Sequence, residues 1–166
     1  MKLIITESKY KNIIFNYFNK FGGEIDTQFI NMFSMVSYDN AYKYLIEWRG
    51  EEESKELAKT LLLQNPHHID DYGGYDFFFE VDDIDYWELD NSKPNVVVSV
   101  KVNDLSGTVS LLNGEDKTLE DAVNDEDYGW EVSDEVQWGI NDYFKQNITS
   151  KTGIKIIFDS EYISQQ

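Results

Sequence analysis

The sequence has no cysteine, which excludes a disulfide framework and a thiolate-bound zinc site. It has two prolines and no Gly/Ser-rich stretch, so no composition break marks a linker. Apolar runs are short. None approaches the roughly 20 residues that a membrane span needs. The opening MKLIITESKYK offers only Leu3 to Ile5 as an apolar core, too short for a secretory leader. A reducing, cytoplasmic setting is therefore expected, and the Asn147-Ile148-Thr149 sequon is read as chance. Histidine is confined to the adjacent pair His67 and His68. With no cysteine nucleophile and no G-x-S-x-G elbow, a His-dependent triad has no nucleophile signature to point to. The expectation is a non-enzymatic chain without a cofactor.

Apolar residues make up 41% of the 166 residues and aromatics 15%, enough for the core of one domain. The formal net charge is −18, and it is unevenly placed. Residues 1–50 hold six Lys/Arg and five acids, a net of +1, so the remainder carries −19. Such a field repels nucleic acid and anionic membranes and attracts basic partners. High solubility is the alternative reading of the same charge.

Periodicity divides the chain near Pro66. Residues 2–6 read as a short β-branched strand. Ser8 is placed to cap a helix with Tyr10, Ile13, Ile14, Tyr17, Phe18 and Phe21 as its apolar stripe, ended by Gly22-Gly23. Phe29, Ile30 and Phe33 suggest a second helix. Ala41, Tyr44, Leu45 and Trp48 suggest a third, capped by Ser37 or Asp39. Leu57, Ala58, Leu61 and Leu62 suggest a fourth, stopped by Pro66. Beyond it, Tyr75, Phe77, Phe79 and Val81 alternate like a strand. The phase then slips at Asp82-Asp83, which requires a bulge or tight turn. Asn91 to Pro94 reads as a turn, and Val96, Val98, Val100 and Val102 as the next strand. Asp104 to Gly107 reads as a hairpin connection to Thr108–Leu112, with a turn at Asn113-Gly114. A helical turn at 118–123, a helix capped by Ser133 and a closing strand at 154–158 complete the pattern. The fold class is α+β in a single domain: residues 1–66 mainly helical, and residues 67–166 an acidic, β-rich part with an antiparallel meander, one helix and a last strand.

Four groups of residues invite a chemical reading. His67 and His68, with Asp70 and Asp71 nearby, could supply metal ligands, although neighbours in sequence cannot share a helix face as a helical zinc pair does. A polar loop after a helix stop is the preferred explanation of them. Asp83 and Asp85 would share a strand face about 7 Å apart, a spacing open to a divalent cation or an acid/base pair, but a solvated outer face beside a bulge is the preferred reading. Residues 115–135 hold ten acids and one base, Lys117. Gly129 and Glu135 have calcium-loop spacing, but Tyr128 at a ligand position breaks that pattern. Finally, Tyr72, Tyr75, Tyr86, Trp87, Tyr128, Trp130 and Trp138 are interleaved with acids. That mixture suits a protein partner bearing Arg and Lys, and not a nucleic acid, whose stacking platforms need a cationic groove.

The opening MKLIITESKYKNIIFNYFNKF and the later INMFSMVSYDNAYKYLIEW resemble the first third of many small uncharacterised proteins of tailed phages. The resemblance implies an origin in a phage and carries no catalytic residue. Three readings follow. The first is a binding module that docks on a basic surface of a virion or host protein through Asp82, Asp83, Asp85, Trp87, Glu120, Asp121, Asp125, Glu126, Asp127, Trp130 and Glu131. The second is a DNA mimic that blocks a DNA-binding defence enzyme, its carboxylates imitating phosphates spaced about 1.7 Å along a duplex. The third is a virion subunit or homo-oligomer that self-assembles through a strand edge.

Overall fold

Thr6, with extended backbone, accepts a hydrogen bond from the Lys9 amide and starts the first helix, α1 (Glu7–Phe21). Ser8, the expected cap, already lies inside that helix, because Thr6 meets the free amide one turn on. The computed structural model describes residues 5–73, 75–90, 93–106, 108–110, 113–118, 121–122, 124–127, 129–158 and 163–165. Residues 2–4 of the expected first strand lie outside these, and Ile5 and Thr6 are not in a strand. Gly22 closes α1 in the left-handed region, its amide bonded to the Phe18 carbonyl. Asp26 caps α2 (Thr27–Met32), and Ser37 caps α3 (Tyr38–Arg49). The acidic first turn of α4 (Glu51–Leu62) suits the positive end of its dipole.

Strand β1 (His67–Tyr72) begins directly after the Pro66 stop. This corrects the expectation of a polar loop at the histidines. The alternation is that of a strand, with His67 and Ile69 buried and His68 and Asp70 exposed. Strand β1 pairs antiparallel with β2 (Tyr75–Asp90), which pairs antiparallel with β3 (Lys93–Ser106). The expected phase slip is present: the register of β2 steps between Val81 and Asp83, and again between Ile84 and Tyr86. Leu89 pairs with Pro94 and Asp90 with Lys93, so Lys93 and Pro94 of the expected turn belong to a strand, and its residues 91–92 lie outside the described residues.

Strand β3 runs on to Ser106, which pairs with Asp76. The expected connection at 104–107 is therefore mostly strand, because β2 reaches back to Asp76 and stays paired with β3 past a register step between Asp76 and Phe78; Gly107 lies outside the described residues. Thr108–Ser110 (β4) pairs instead with Asp116–Thr118 (β5), around the expected turn at Asn113-Gly114. Residues 111–112, 119–120 and 123 also lie outside the described residues. Helix α5 (Gly129–Phe144) starts four residues before the expected cap Ser133. The Gly129 amide already bonds the Asp125 carbonyl, which opens the helix a turn early. A π-helical turn (Lys145–Thr149) and a short helical turn α6 (Ser150–Thr152) follow. Strand β6 (Lys155–Ile157) then pairs parallel with the Asn95–Val97 part of β3. A further strand without a counterpart in the sequence reading, β7 (Ile163–Gln165), pairs parallel with Val100–Val102 on that same strand. The chain is thus an α+β domain, as its periodicity implies.

The buried side chains fall into two groups. In the first, Phe77, Phe79 and Val81 of β2 and Val96, Val98 and Val100 of β3 meet Ala58 and Leu62 of α4 and Val132, Val136, Ile140 and Phe144 of α5. Each such Val, Leu, Ile or Phe contributes about 1.5–3 kcal/mol of burial free energy. In the second, Ile14, Tyr17 and Phe18 of α1 pack on Phe29, Phe33, Ala41, Tyr42 and Leu45, with Phe18 stacked on Phe29 at 5.5 Å. Of the expected α1 stripe, Ile13 and Phe21 remain 47% and 45% exposed.

The groups are tied at the 149–153 segment. The Ile25 amide donates to the Ser150 carbonyl at 2.8 Å, and the Arg49 guanidinium donates to the carbonyls of Gly23 and Lys151. Gly153 lies against α3, where a Cβ would stand 2.5 Å from the Tyr42 carbonyl oxygen and 2.7 Å from Ile46 Cγ1. His67 ties β1 to two helices. Its Nε2 is 2.9 Å from the Leu62 carbonyl and its Nδ1 is 3.2 Å from the Tyr143 hydroxyl. A carbonyl only accepts, so Nε2 carries the proton and Nδ1 accepts from Tyr143. Burial lowers the His67 pKa from its ordinary value.

Two outcomes are expected. Gly153→Ala combines left-handed strain with a backbone collision and should destabilise by on the order of 3 kcal/mol. Gly22→Ala, at φ 83 with open space around it, should lose only the conformational part, about 1 kcal/mol. Urea unfolding midpoints of the two variants compare them directly. For His67, the unfolded chain takes up the proton first as pH falls. Its contribution to stability is therefore complete above about pH 6.5 and declines below it, toward the depressed native value. Unfolding free energies from pH 8 to 5.5 should show this slope in the native chain and lose it in His67→Gln.

Candidate functional site

Helix α5 carries Glu131, Asp134, Glu135 and Asp142 and no Lys or Arg. Its inner face is Val132, Val136, Ile140 and Phe144, at intervals of four. Trp130 and Trp138 lie off that face and are 62% and 55% exposed. Eight residues of helix separate them by about 12 Å along the axis, with Asp134 on the arc between. The indole Nε1 of Trp130 donates to the Asp127 carbonyl at 3.0 Å, which pins one ring at the start of the helix. Further along, Tyr72 of β1 lies across Gly139, where a Cβ would meet its Cδ1 at 3.1 Å. Its hydroxyl donates to Asp142 Oδ2 at 3.2 Å, and burial together with that carboxylate raises the phenol's pKa. The result is a helix face with two large rings in solvent, bordered by carboxylates and braced by the sheet.

The acidic segment before α5 is folded onto itself. Lys117 of β5 forms an ion pair with Asp125, whose carboxylate also accepts from the Asp127 amide at 2.9 Å. The bond to Asp125 raises the Lys117 pKa. Thr118 Oγ1 accepts from the Asp121 amide at 3.1 Å and donates to Asp121 Oδ2 at 2.7 Å. Asp121 and Asp125 are thus engaged in holding the segment, while Glu126 and Asp127 are exposed beside Trp130. Glu120 lies outside the described residues, and of Glu131 only the helical backbone is described.

Asp82, Asp83, Asp85 and Trp87 lie on β2, where the backbone alone is described. Asp83 pairs with Ser99 and Trp87 with Val96. The register step between Ile84 and Tyr86 falls at Asp85, so the regular pleat assumed for a 7 Å Asp83–Asp85 spacing is interrupted there. The second histidine has a different setting from the first. His68 is exposed on β1 and stacks on Phe78 with ring centroids 4.3 Å apart. Its Nε2 is 2.7 Å from Asp76 Oδ1, and Asp70 stands close to both.

The sequence reading leaves Asp76 out of the metal-ligand candidates, and it names Trp138 among the interleaved aromatics but not among the docking residues. Trp138 joins Trp130 once the helix is extended back to Gly129, because positions 130, 134 and 138 then share one arc. Asp76 joins His68 and Asp70 through the reversal after Tyr72, which the Gly73-Gly74 pair signals. Compared with known proteins, the chain matches no family model, no curated protein and no solved structure.

Proposed function

We propose that this chain is a protein-binding module whose α5 face docks on a partner rich in Lys and Arg. The observation that carries the reading is the pair of exposed tryptophans, Trp130 and Trp138, on a helix that has four acids and no base. Tryptophan is enriched at the centre of interfaces, where it supplies a large apolar area. Carboxylates at the border steer a cationic partner and favour Arg stacked on the indole faces. The partner class that fits is a basic protein segment with apolar residues between its charges, from a virion component or a host factor. A phosphate-mimicking row is the weaker reading, since Asp121 and Asp125 are turned to Thr118 and Lys117.

A labelled basic amphipathic peptide, with Lys/Arg and Leu at helical spacing, tests this by fluorescence anisotropy. Binding should weaken severalfold between 50 and 300 mM NaCl. Trp130→Ala and Trp138→Ala should each weaken it about tenfold, roughly 1.4 kcal/mol. Equal binding by the double tryptophan variant would reduce the interaction to diffuse charge attraction and sink the proposal.

A further inference from the structure

The arrangement of His68, Asp70 and Asp76 is independent of the α5 face. His68 and Asp70 are two apart on β1, so both project from the exposed side, opposite the buried His67 and Ile69. Asp76 is on β2, two residues before Phe78, which pairs with His68 across the ladder. One ligand atom from each of the three residues lies within 4.8 Å of the other two. The imidazole is held in plane by the Phe78 ring, at an interplanar angle of 8°. That stacking leaves the ring edge, and Nε2 with it, directed at the Asp76 carboxylate.

We propose that His68, Asp70 and Asp76 form a binding site for a first-row divalent transition ion such as Zn²⁺. An imidazole nitrogen selects such ions over Mg²⁺ and Ca²⁺, which favour all-oxygen shells of six or more ligands. Bonds of about 2.0–2.2 Å place neighbouring ligands about 3.3 Å apart in a tetrahedral shell. The 2.7 Å His68–Asp76 contact opens slightly to reach that spacing, and the Asp70 carboxylate closes on them by rotation about its side chain. Both strands stay paired meanwhile. On binding, Nε2 gives up to solvent the proton it holds against Asp76, the ion takes the lone pair this frees, and the neutral ring carries its one proton on Nδ1. Three protein ligands leave at least one position for water or for a donor from another molecule. The site therefore holds an exchangeable ion, unlike a closed structural centre.

The presence of just two histidines makes the test direct. Zn²⁺ is titrated into the full chain at 0.15 M NaCl, with the imidazole nitrogens followed by ¹⁵N NMR and the heat by calorimetry. One equivalent should move the His68 Nε2 resonance and leave that of buried His67 in place, while the same concentration of Mg²⁺ moves neither. His68→Asn and Asp70→Asn, both at exposed positions, should each weaken Zn²⁺ binding about tenfold or more. An unmoved His68 resonance at one equivalent, or variants that bind as tightly as the native chain, would overturn the site and assign any bound zinc to the general acidic field.

Discussion

Arg49 is the only arginine in the chain, and its guanidinium reaches two carbonyls that belong to different parts of the fold. Gly23 lies between the first two helices, and Lys151 lies in the turn that leads to β6. Among the described residues the two buried groups share no side chain, and their relative placement rests on α3, which sends Ile46 to the first and Ala41, Tyr42 and Leu45 to the second, together with this clamp, the Ile25–Ser150 hydrogen bond and the contact of Gly153 with α3. A guanidinium suits the task because its planar fork can serve two acceptors at once and stays charged when burial lowers its pKa. Trp48 lies beside it as a cation–π neighbour and donates to Asn19, carrying the same tie back to α1. Surface ion pairs, Lys11 of α1 with Glu47 of α3 and Lys155 of β6 with Asp39 of α3, are worth less individually.

Much of this architecture is legible in the sequence, for reasons that differ between elements. The α1, α3 and α4 helices announce themselves by period and by local stops, Gly22, Gly50 and Pro66, whose effects are confined to one turn of chain. The slip at Asp82-Asp83 is visible because a strand has a strict period of two, and any bulge must shift the apolar positions. The pairing of Thr108–Ser110 is not legible, because it depends on how far β2 keeps hold of β3. The same is true of the start of α5, which is set by Asp125 and Lys117 across an acidic stretch with no apolar rhythm. The docking residues divide in the same way. Trp130 is visible by type, and Trp138 becomes its neighbour only when the helix start is known.

The acidic charge has more than one structural use. Asp26 caps a helix, Asp125 folds a loop onto a lysine, and Asp142 receives a tyrosine hydroxyl from the sheet. Carboxylates engaged in this way are part of the scaffold, and their negative charge still adds to the field around α5. Long-range attraction and local geometry thus draw on overlapping sets of residues. Composition alone reports the field and is silent on the geometry.

Asn65 shows how a single side chain can set the parity of a strand. Its amide donates to the Val81 carbonyl and its carbonyl oxygen accepts from the Val81 amide, at 3.0 and 2.9 Å. It imitates one more rung of the ladder just before β1 begins, at the residue where β2 bulges. A slip of β1 by one position would exchange its two faces, bringing His67 to the surface and forcing His68 under the helices. The amide rung opposes that slip by occupying both hydrogen-bonding groups of Val81. Two chemically identical neighbours are thereby given opposite fates: one imidazole is a neutral brace in the interior, and the other is a nitrogen donor facing water.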